Sequence, residues 1–269
     1  MYFDVQGRKV FATTGGKAFD ASLPCVIFLH GSGLDHTFWG LHSRFFAFRK
    51  YSVLALDLPG HSHSEGPPLT SIEDIGEWLN DVVHALEINN ISIVAHSQGV
   101  LSALEFVANH PERVRSVSLI TSGLATPVNP ALIAAAENSP EDAIAMMVSW
   151  GFGRAGHLHQ GAIPGNSMLA GGQKIMRGNV PQELATDLRA CNAYQNGKEA
   201  AAKLRGPIQV ILAGMDRMAP KKASDELVAH LRDPEVHVIA ESGHMLPLEA
   251  PNRLRELLKQ FIYTNNPAG

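Results

Sequence analysis

Cysteine is nearly absent: the 269 residues hold two, Cys25 and Cys191. They stand far apart and fit no metal-ligand or redox spacing, which excludes a disulfide framework, a cysteine-ligated zinc site and a dithiol motif. Charge of one sign is also scarce. Lys and Arg number 22 against 26 Asp and Glu, a formal net charge of −4, with no basic run. The electrostatic footprint of a nucleic-acid partner is therefore missing, and so is that of an anionic membrane surface. No apolar stretch is long enough to span a bilayer. Met1-Tyr2-Phe3-Asp4-Val5 lacks the basic region and apolar core of a secretory signal. The expectation is a cytoplasmic protein with reduced thiols, no nucleic acid and no membrane contact. The composition, 45% hydrophobic and 18% charged, is globular, and the length allows one large α/β domain or two small ones.

What is present is a regular alternation. Tyr2–Val5 and Lys9–Thr13 read as a hairpin around Gly7-Arg8. Apolar runs at Pro24–Leu29, Tyr51–Leu56, Ile91–Ala95, Val114–Thr121, Pro207–Ala213 and Val236–Ala240 read as further strands. Between them fall helical patterns: one through Phe38, Leu41, Phe45 and Phe46, and one through Ile72, Ile75, Leu79, Val82, Val83 and Leu86. Thr70 with Glu73 has the spacing of a capping box for the second. Val100–Asn109, Lys221–Leu231 and Pro251–Thr264 complete the helices. Strand–helix alternation predicts a mostly parallel, doubly wound sheet of about eight strands, with ligands at the carboxyl ends.

The rhythm breaks from Leu124 to Arg205, a stretch rich in Ala, Met and Gly with no clear strand. It far exceeds an ordinary connection. It reads as a helical cap, residues 124–205, inserted after the sixth strand of a core formed by 1–123 and 206–269. The alternative is a set of ordinary sheet-covering helices.

The chemistry centres on Ala95-His96-Ser97-Gln98-Gly99, between a buried strand and a helix. A serine at such a turn is pushed out at the carboxyl edge of the sheet, and small residues two positions away let strand and helix approach. Alone, this pattern also fits a serine N-cap. A serine nucleophile needs a base, and the base needs an orienting acid. Asp216 follows one buried strand in Ala213-Gly214-Met215-Asp216, and His244 follows the next in Ser242-Gly243-His244-Met245. Both belong on the edge that carries Ser97.

The chain order Ser97, Asp216, His244, with His30-Gly31-Ser32-Gly33 and Asp57-Leu58-Pro59-Gly60, resembles the α/β-hydrolase family of the small-cap type over nearly the whole length. It departs at Ala95 and at Ser62, where the family often has glycine. The resemblance implies that Ser97 attacks a carbonyl, His244 shuttles the proton and Asp216 orients His244. Backbone N–H groups of Ser32 and Gln98 would hold the oxyanion.

Other residues carry weaker readings. Asp57 also ends a strand and is the alternative acid. His30 reads as structural, and His96 as packing or a substrate contact. Trp150, Phe152, Met146, Met147 and Met168, with Met215 and Met245, line an apolar pocket or form the cap's own core. His61-x-His63 and His157-x-His159 lack a supporting carboxylate or cysteine at ligand spacing, so neither a metal nor a cofactor is expected. The function implied is hydrolysis of a carboxylic ester, thioester or lactone with an apolar portion. Carbon–carbon bond hydrolysis, cofactor-free perhydrolase or oxygenase chemistry, and a small-molecule receptor that keeps the three residues remain open. The oligomeric state is open too.

Overall fold

The computed structural model of the chain describes residues 1–158, 165, 167–179 and 181–268. Eight strands form one sheet: β1 (Tyr2–Val5), β2 (Arg8–Thr13), β3 (Cys25–Leu29), β4 (Ser52–Leu56), β5 (Ile91–His96), β6 (Val114–Ile120), β7 (Ile208–Ala213) and β8 (Glu235–Ile239). Their order is β1-β2-β4-β3-β5-β6-β7-β8. β1 pairs antiparallel with β2 and β2 with β4; every other pairing is parallel. The hairpin turns at Gln6-Gly7, where both residues have positive φ, one position before the expected Gly7-Arg8.

β3, β4 and β5 are buried at every position. Parallel strands covered on both faces need apolar side chains all along, and this is why they read as continuous runs. Alternate residues serve opposite faces. Ile27 and Ile93 join one core with Leu79 and Phe106, while Phe28 and Val94 join the other with Trp39, Phe46 and Phe261.

The helices that supply these layers are α1 (Gly40–Ala47), α2 (Ile72–Ala85) and α3 (Gln98–Asn109). Between β6 and β7 lie α4 (Pro130–Asn138), α5 (Pro140–Gly151), α6 (Arg154–His157), α7 (Met168–Arg177), α8 (Pro181–Ala193) and α9 (Gly197–Lys203), with no strand among the described residues. α10 (Lys221–His230), α11 (Leu246–Glu249) and α12 (Pro251–Asn265) follow. Leu132, Met147 and Leu188 extend the second core out of the sheet into this intervening segment. No helix among the described residues is long and apolar enough to cross a membrane.

Two local expectations shift. A 3-10 turn, His36–Trp39, precedes α1, because the Asp35 side chain accepts from the Thr37 amide and tightens the first turn. α2 is capped by Ser71, not Thr70: the Ser71 hydroxyl accepts from the Asp74 amide. Ser71 is the residue with extended backbone immediately before the helix, as an N-cap requires.

The register sets the functional edge. Leu29 pairs with Ala95, Ala95 with Leu119 and His96 with Ile120, so the strand ends that precede the Ser32 and Ser97 loops lie side by side.

Candidate active site

Ser97 stands between β5 and α3 with φ 54° and ψ −118°. A side chain at such positive φ is strained by about 1–3 kcal/mol and persists only where the surroundings dictate it. Here the Ser97 amide donates to the Ile120 carbonyl at 3.1 Å, and the Ser97 carbonyl accepts from Val100 N–H at 2.9 Å. The hydroxyl occupies an N-cap position yet makes no capping bond. The N-cap reading therefore does not hold.

The need for glycine at 99 is steric. A Cβ there would lie 2.8 Å from the carbonyl oxygens of both Leu29 and His30. Ala95, where the family often has glycine, sits fully buried within β5, its methyl part of the core. The extra methyl is absorbed without disturbing the strand.

The hydroxyl instead faces His244. Ser97 Oγ and His244 Nε2 are 2.9 Å apart, and His244 Nδ1 lies 2.8 Å from Asp216 Oδ2. With Nδ1–H donating to the carboxylate, Nε2 is the bare nitrogen that accepts from Ser97 Oγ–H. Asp216 Oδ1 accepts from the Met218 and Ala219 amides, each at 2.8 Å. Burial alone would raise the Asp216 carboxyl. The His244 ring and these two amides outweigh it and hold the group below its ordinary value, so it stays an anion.

Asp57, the alternative acid, is engaged elsewhere. It accepts from the His36 amide and ring Nδ1, both at 2.8 Å, and from the His63 amide at 3.2 Å. His30 is structural: its Nδ1–H donates to the Gly31 carbonyl at 2.9 Å, and its Nε2 accepts from Leu58 N–H at 3.2 Å. His96 is packing. Its Nε2–H donates to the His244 carbonyl at 2.9 Å, among Phe38 and Trp39. Burial, with the neighbouring His244, lowers its pKa to about 3, so it stays neutral.

Gln98 follows Ser97 in the chain, and Ser32 follows Gly31, where a Cβ would lie 3.0 Å from that of Ser97. The Gly31–Leu34 turn closes through Leu34 N–H on the Gly31 carbonyl at 3.1 Å. Gln98 opens α3, where backbone amides have no partner within the helix. Ser32, Ser97 and His244 line one cavity of about 360 Å³.

Of the expected pocket residues, Met147 and Trp150 line this cavity. Phe152, Met215 and Met245 do not. Phe152 and Met245 are each 1% exposed and belong to the second core, and Met215 is half-buried with its amide tied to the Ser242 carbonyl. Met146 and Met168 pack against that core as well. Val128, Leu132, Leu188, Cys191 and Met218, none of them among the expected pocket residues, also line the cavity. Leu188 and Cys191 stand three apart on one face of α8, a helical spacing that was there to be read. Arg217 is the one Lys or Arg among the described lining residues.

Neither histidine pair gathers ligands among the described residues. His61 pairs with Asp187, His157 donates to the Ser149 carbonyl, and His159 lies outside the described residues. Asp35, His36 and Asp57 do bring three ligand atoms within 4.8 Å of one another. Their oxygens already accept from the Thr37 and His63 amides and from the His36 amide and ring, which is a structural use.

A family model described as the alpha/beta hydrolase family matches residues 26–257. Protein ABHD8 of Bos taurus is 25% identical over 244 residues, 88% of this chain and 55% of that protein. The chain thus spans about half the length of that curated relative. Among solved structures, the enol-lactonase from Burkholderia xenovorans LB400 superposes with a TM-score of 0.86 at 19% identity, covering 97% of this chain and 99% of that one. An esterase from Exiguobacterium antarcticum gives 0.84 at 15% identity, covering 97% and 98%. At these identities the structural likeness is one of fold.

Gly99→Ala places its methyl between two backbone carbonyls that cannot swing away. It should destabilise the fold by about 1–3 kcal/mol, measured as a lower urea midpoint at unchanged slope. An unshifted midpoint would show that α3 and β3 are not in the close contact described.

Proposed function

This chain belongs to the alpha/beta hydrolase family, and we propose that it is a serine hydrolase cleaving a carboxylic ester, thioester or lactone with an apolar portion through an acyl-enzyme on Ser97. One observation carries the reading: the unbroken line from Ser97 Oγ through His244 to the buried Asp216 carboxylate, open to a cavity at the serine end.

Ser97 Oγ adds to the carbonyl carbon while its proton passes to His244 Nε2. The resulting imidazolium is balanced by Asp216. The Ser32 and Gln98 amides receive the oxyanion, and one such donor is typically worth about 2.7–4 kcal/mol. Collapse expels the alcohol, thiol or lactone oxygen, which takes the proton from His244. Water then repeats the sequence on the acyl-enzyme, and the acid leaves. Side chains, two amides and water suffice for this.

We assign the core to residues 1–123 and 206–269 and a cap to 124–205. The cap supplies Val128, Leu132, Met147, Trp150 and Leu188 to the cavity wall, which is the basis for an apolar substrate portion. The names of the structural neighbours, an enol-lactonase and an esterase, are in keeping with this class. The two cysteines are free and buried, which suits a reducing, cytoplasmic setting.

A fluorophosphonate probe should add one label per chain, on Ser97, and Ser97→Ala should neither label nor turn over p-nitrophenyl esters. A label elsewhere, or ester turnover by the alanine variant, removes the assignment. A receptor that merely keeps the three residues would show no multiple turnover.

Asp216→Asn should lower kcat by about 10⁴-fold, as loss of the acid does in a comparable triad, while folded Asp57→Asn keeps most of its rate. Steady-state kinetics, with folding checked by circular dichroism, decide which carboxylate orients the base; the reverse pattern would hand the role to Asp57.

Trp150→Ala should change acyl-length preference more than the rate on the shortest ester. Equal loss across a p-nitrophenyl series would mark Trp150 as structural instead.

A further inference from the structure

We propose that Asp187, carried on α8 in the segment between β6 and β7, is a positioning residue for this hydrolysis: with His61 it forms a buried ion pair that clamps both the Gly31–Leu34 turn and the start of α3, so the two oxyanion amides are set only when α8 is docked. The inference rests on the serine-hydrolase reading above.

The geometry is unusual for a carboxylate in mid-helix. Asp187 is 1% exposed, as is the His61 it faces. Its Oδ2 accepts from Gly33 N–H at 2.8 Å and from His61 Nε2–H at 3.0 Å, and its Oδ1 accepts from Gln98 Nε2–H at 3.2 Å. Gly33 follows Ser32, and Gln98 follows Ser97. One carboxylate from outside the sheet thus ties down the residue after one proposed oxyanion donor, Ser32, and the side chain of the other, Gln98. Its helix reinforces the contact. Leu184 packs where a Cβ on Gly33 would stand, 2.9 Å from its Cδ1, at a residue with φ +66°. Cys191 Sγ lies 3.6 Å from Ser32 Oγ. Leu184, Asp187 and Cys191 share one face of α8 at spacings of three and four.

The hydrogen bonds dictate the charge. His61 Nδ1 lies 3.1 Å from the Pro59 carbonyl, which can only accept. Its Nε2 faces a carboxylate that already takes two N–H donors. Both ring nitrogens therefore carry protons, and His61 is an imidazolium. The groups facing it are Asp187 and Glu183 from α8 and His30 from the loop after β3; Asp57, at the end of β4, acts on His30. His30 stays neutral, since its Nε2 accepts from Leu58 and its ring centroid is 5.2 Å from that of His61. Burial alone would lower the His61 pKa; Asp187, and then Glu183, raise it to about 9. Burial would raise Asp187, and His61 brings it below its ordinary value.

The raised histidine gives the pair a stabilising contribution that is complete below the ordinary histidine range and is lost as pH rises through about 9. The depressed carboxylate gives one that is lost as pH falls through its own lowered value. The clamp therefore holds at neutral pH and opens on the alkaline side. A neutral His61 keeps a single N–H, so one of its nitrogens would then face an acceptor, the Pro59 carbonyl or the Asp187 carboxylate, without a proton between them.

The test uses the full chain, p-nitrophenyl butyrate and fluorophosphonate-titrated sites. Wild type should show an alkaline fall in kcat near pH 9. Asp187→Asn should lose about 10²-fold in kcat at neutral pH, the scale of a small misplacement of reacting groups, with KM little changed. His61→Gln keeps a donor toward Asp187 but no titrating proton. Its kcat should lose the alkaline fall, and its thermal midpoint should no longer drop as pH passes 9. The proposal is overturned if folded Asp187→Asn keeps the wild-type kcat and pH profile. Should that variant not fold, His61→Gln decides: an unaltered alkaline limb and an unaltered pH dependence of melting refute the clamp. Failure of the underlying reading looks different, since wild type itself would then leave Ser97 unlabelled.

Discussion

A serine held at φ 54° between β5 and α3 is the constraint on which the rest of this molecule depends. The conformation is disfavoured by itself, so the framework must hold it from several sides. It does so with backbone. The Ile120 carbonyl takes the Ser97 amide, and the first turn of α3 comes so close to the ends of β3 that only a glycine fits at 99. Those contacts require β3, β5 and β6 to be adjacent and in register. They also require α3 to be buried against the sheet, and ten of its residues are. Burying each large apolar side chain contributes about 1.5–3 kcal/mol, enough that strain at one residue is easily carried by the surrounding core.

The electrostatics follow from the same burial. An ion inside a protein must be paired and hydrogen-bonded, and a neutral imidazole needs a donor–acceptor pattern that fixes its tautomer. Four buried histidines surround the site, and each is resolved by its partners. His30 and His96 meet a single acceptor apiece and stay neutral; His61 meets two acceptors and is cationic; His244 lies between a carboxylate and a hydroxyl. Of the four, His244 alone has its second nitrogen directed at the Ser97 hydroxyl, while the others are committed to backbone or to a buried carboxylate. In the proposed hydrolysis, the selection of a base among neighbouring imidazoles is thus made by hydrogen-bond topology.

Much of this was legible in the chain. Strands buried on both faces, as β3, β4 and β5 are, leave continuous apolar runs, and the turn residues around Gly7 mark the β1–β2 hairpin, so all eight strands are legible to within a residue or two. Of the proposed site residues, Ser97 follows β5 directly, and Asp216 and His244 stand in the short loops after β7 and β8; a strand end is a fixed place in a parallel sheet. Where reading failed, the determinant was distant or a matter of degree. Phe152 and Met245 are as apolar as true pocket residues, but Gly151 and Gly243 draw the chain tightly around them, and no local pattern separates a wall from a core. Ser71 rather than Thr70 caps α2 because backbone conformation picks between adjacent hydroxyls. Asp187 was invisible for a stronger reason. An acid on a helix, with Glu183 one turn before it, resembles part of a solvated face, and its partners Gly33, His61 and Gln98 lie 154, 126 and 89 positions away.

That distance also explains how the labour is divided. The proposed reacting groups stand on loops at strand ends, where the sheet fixes them to within a hydrogen-bond length. The helices between β6 and β7 have no such template and need some other means of being held in place. A purely apolar contact would bind them but tolerate sliding, since dispersion is non-directional. A buried carboxylate with three N–H donors tolerates very little, because a displaced α8 would leave a charge without partners in a low-dielectric interior. Directional bonds at Asp187, set within an apolar seam of Leu184 and Leu188, give the junction both adhesion and register. The register is taken from the Gly31–Leu34 turn and from Gln98, the residue after Ser97. The segment that shapes the cavity and the loops that carry the proposed chemistry are therefore aligned by one set of hydrogen bonds, so a change in the seating of α8 is felt at the turn beside Ser32 and at the first residue of α3 together.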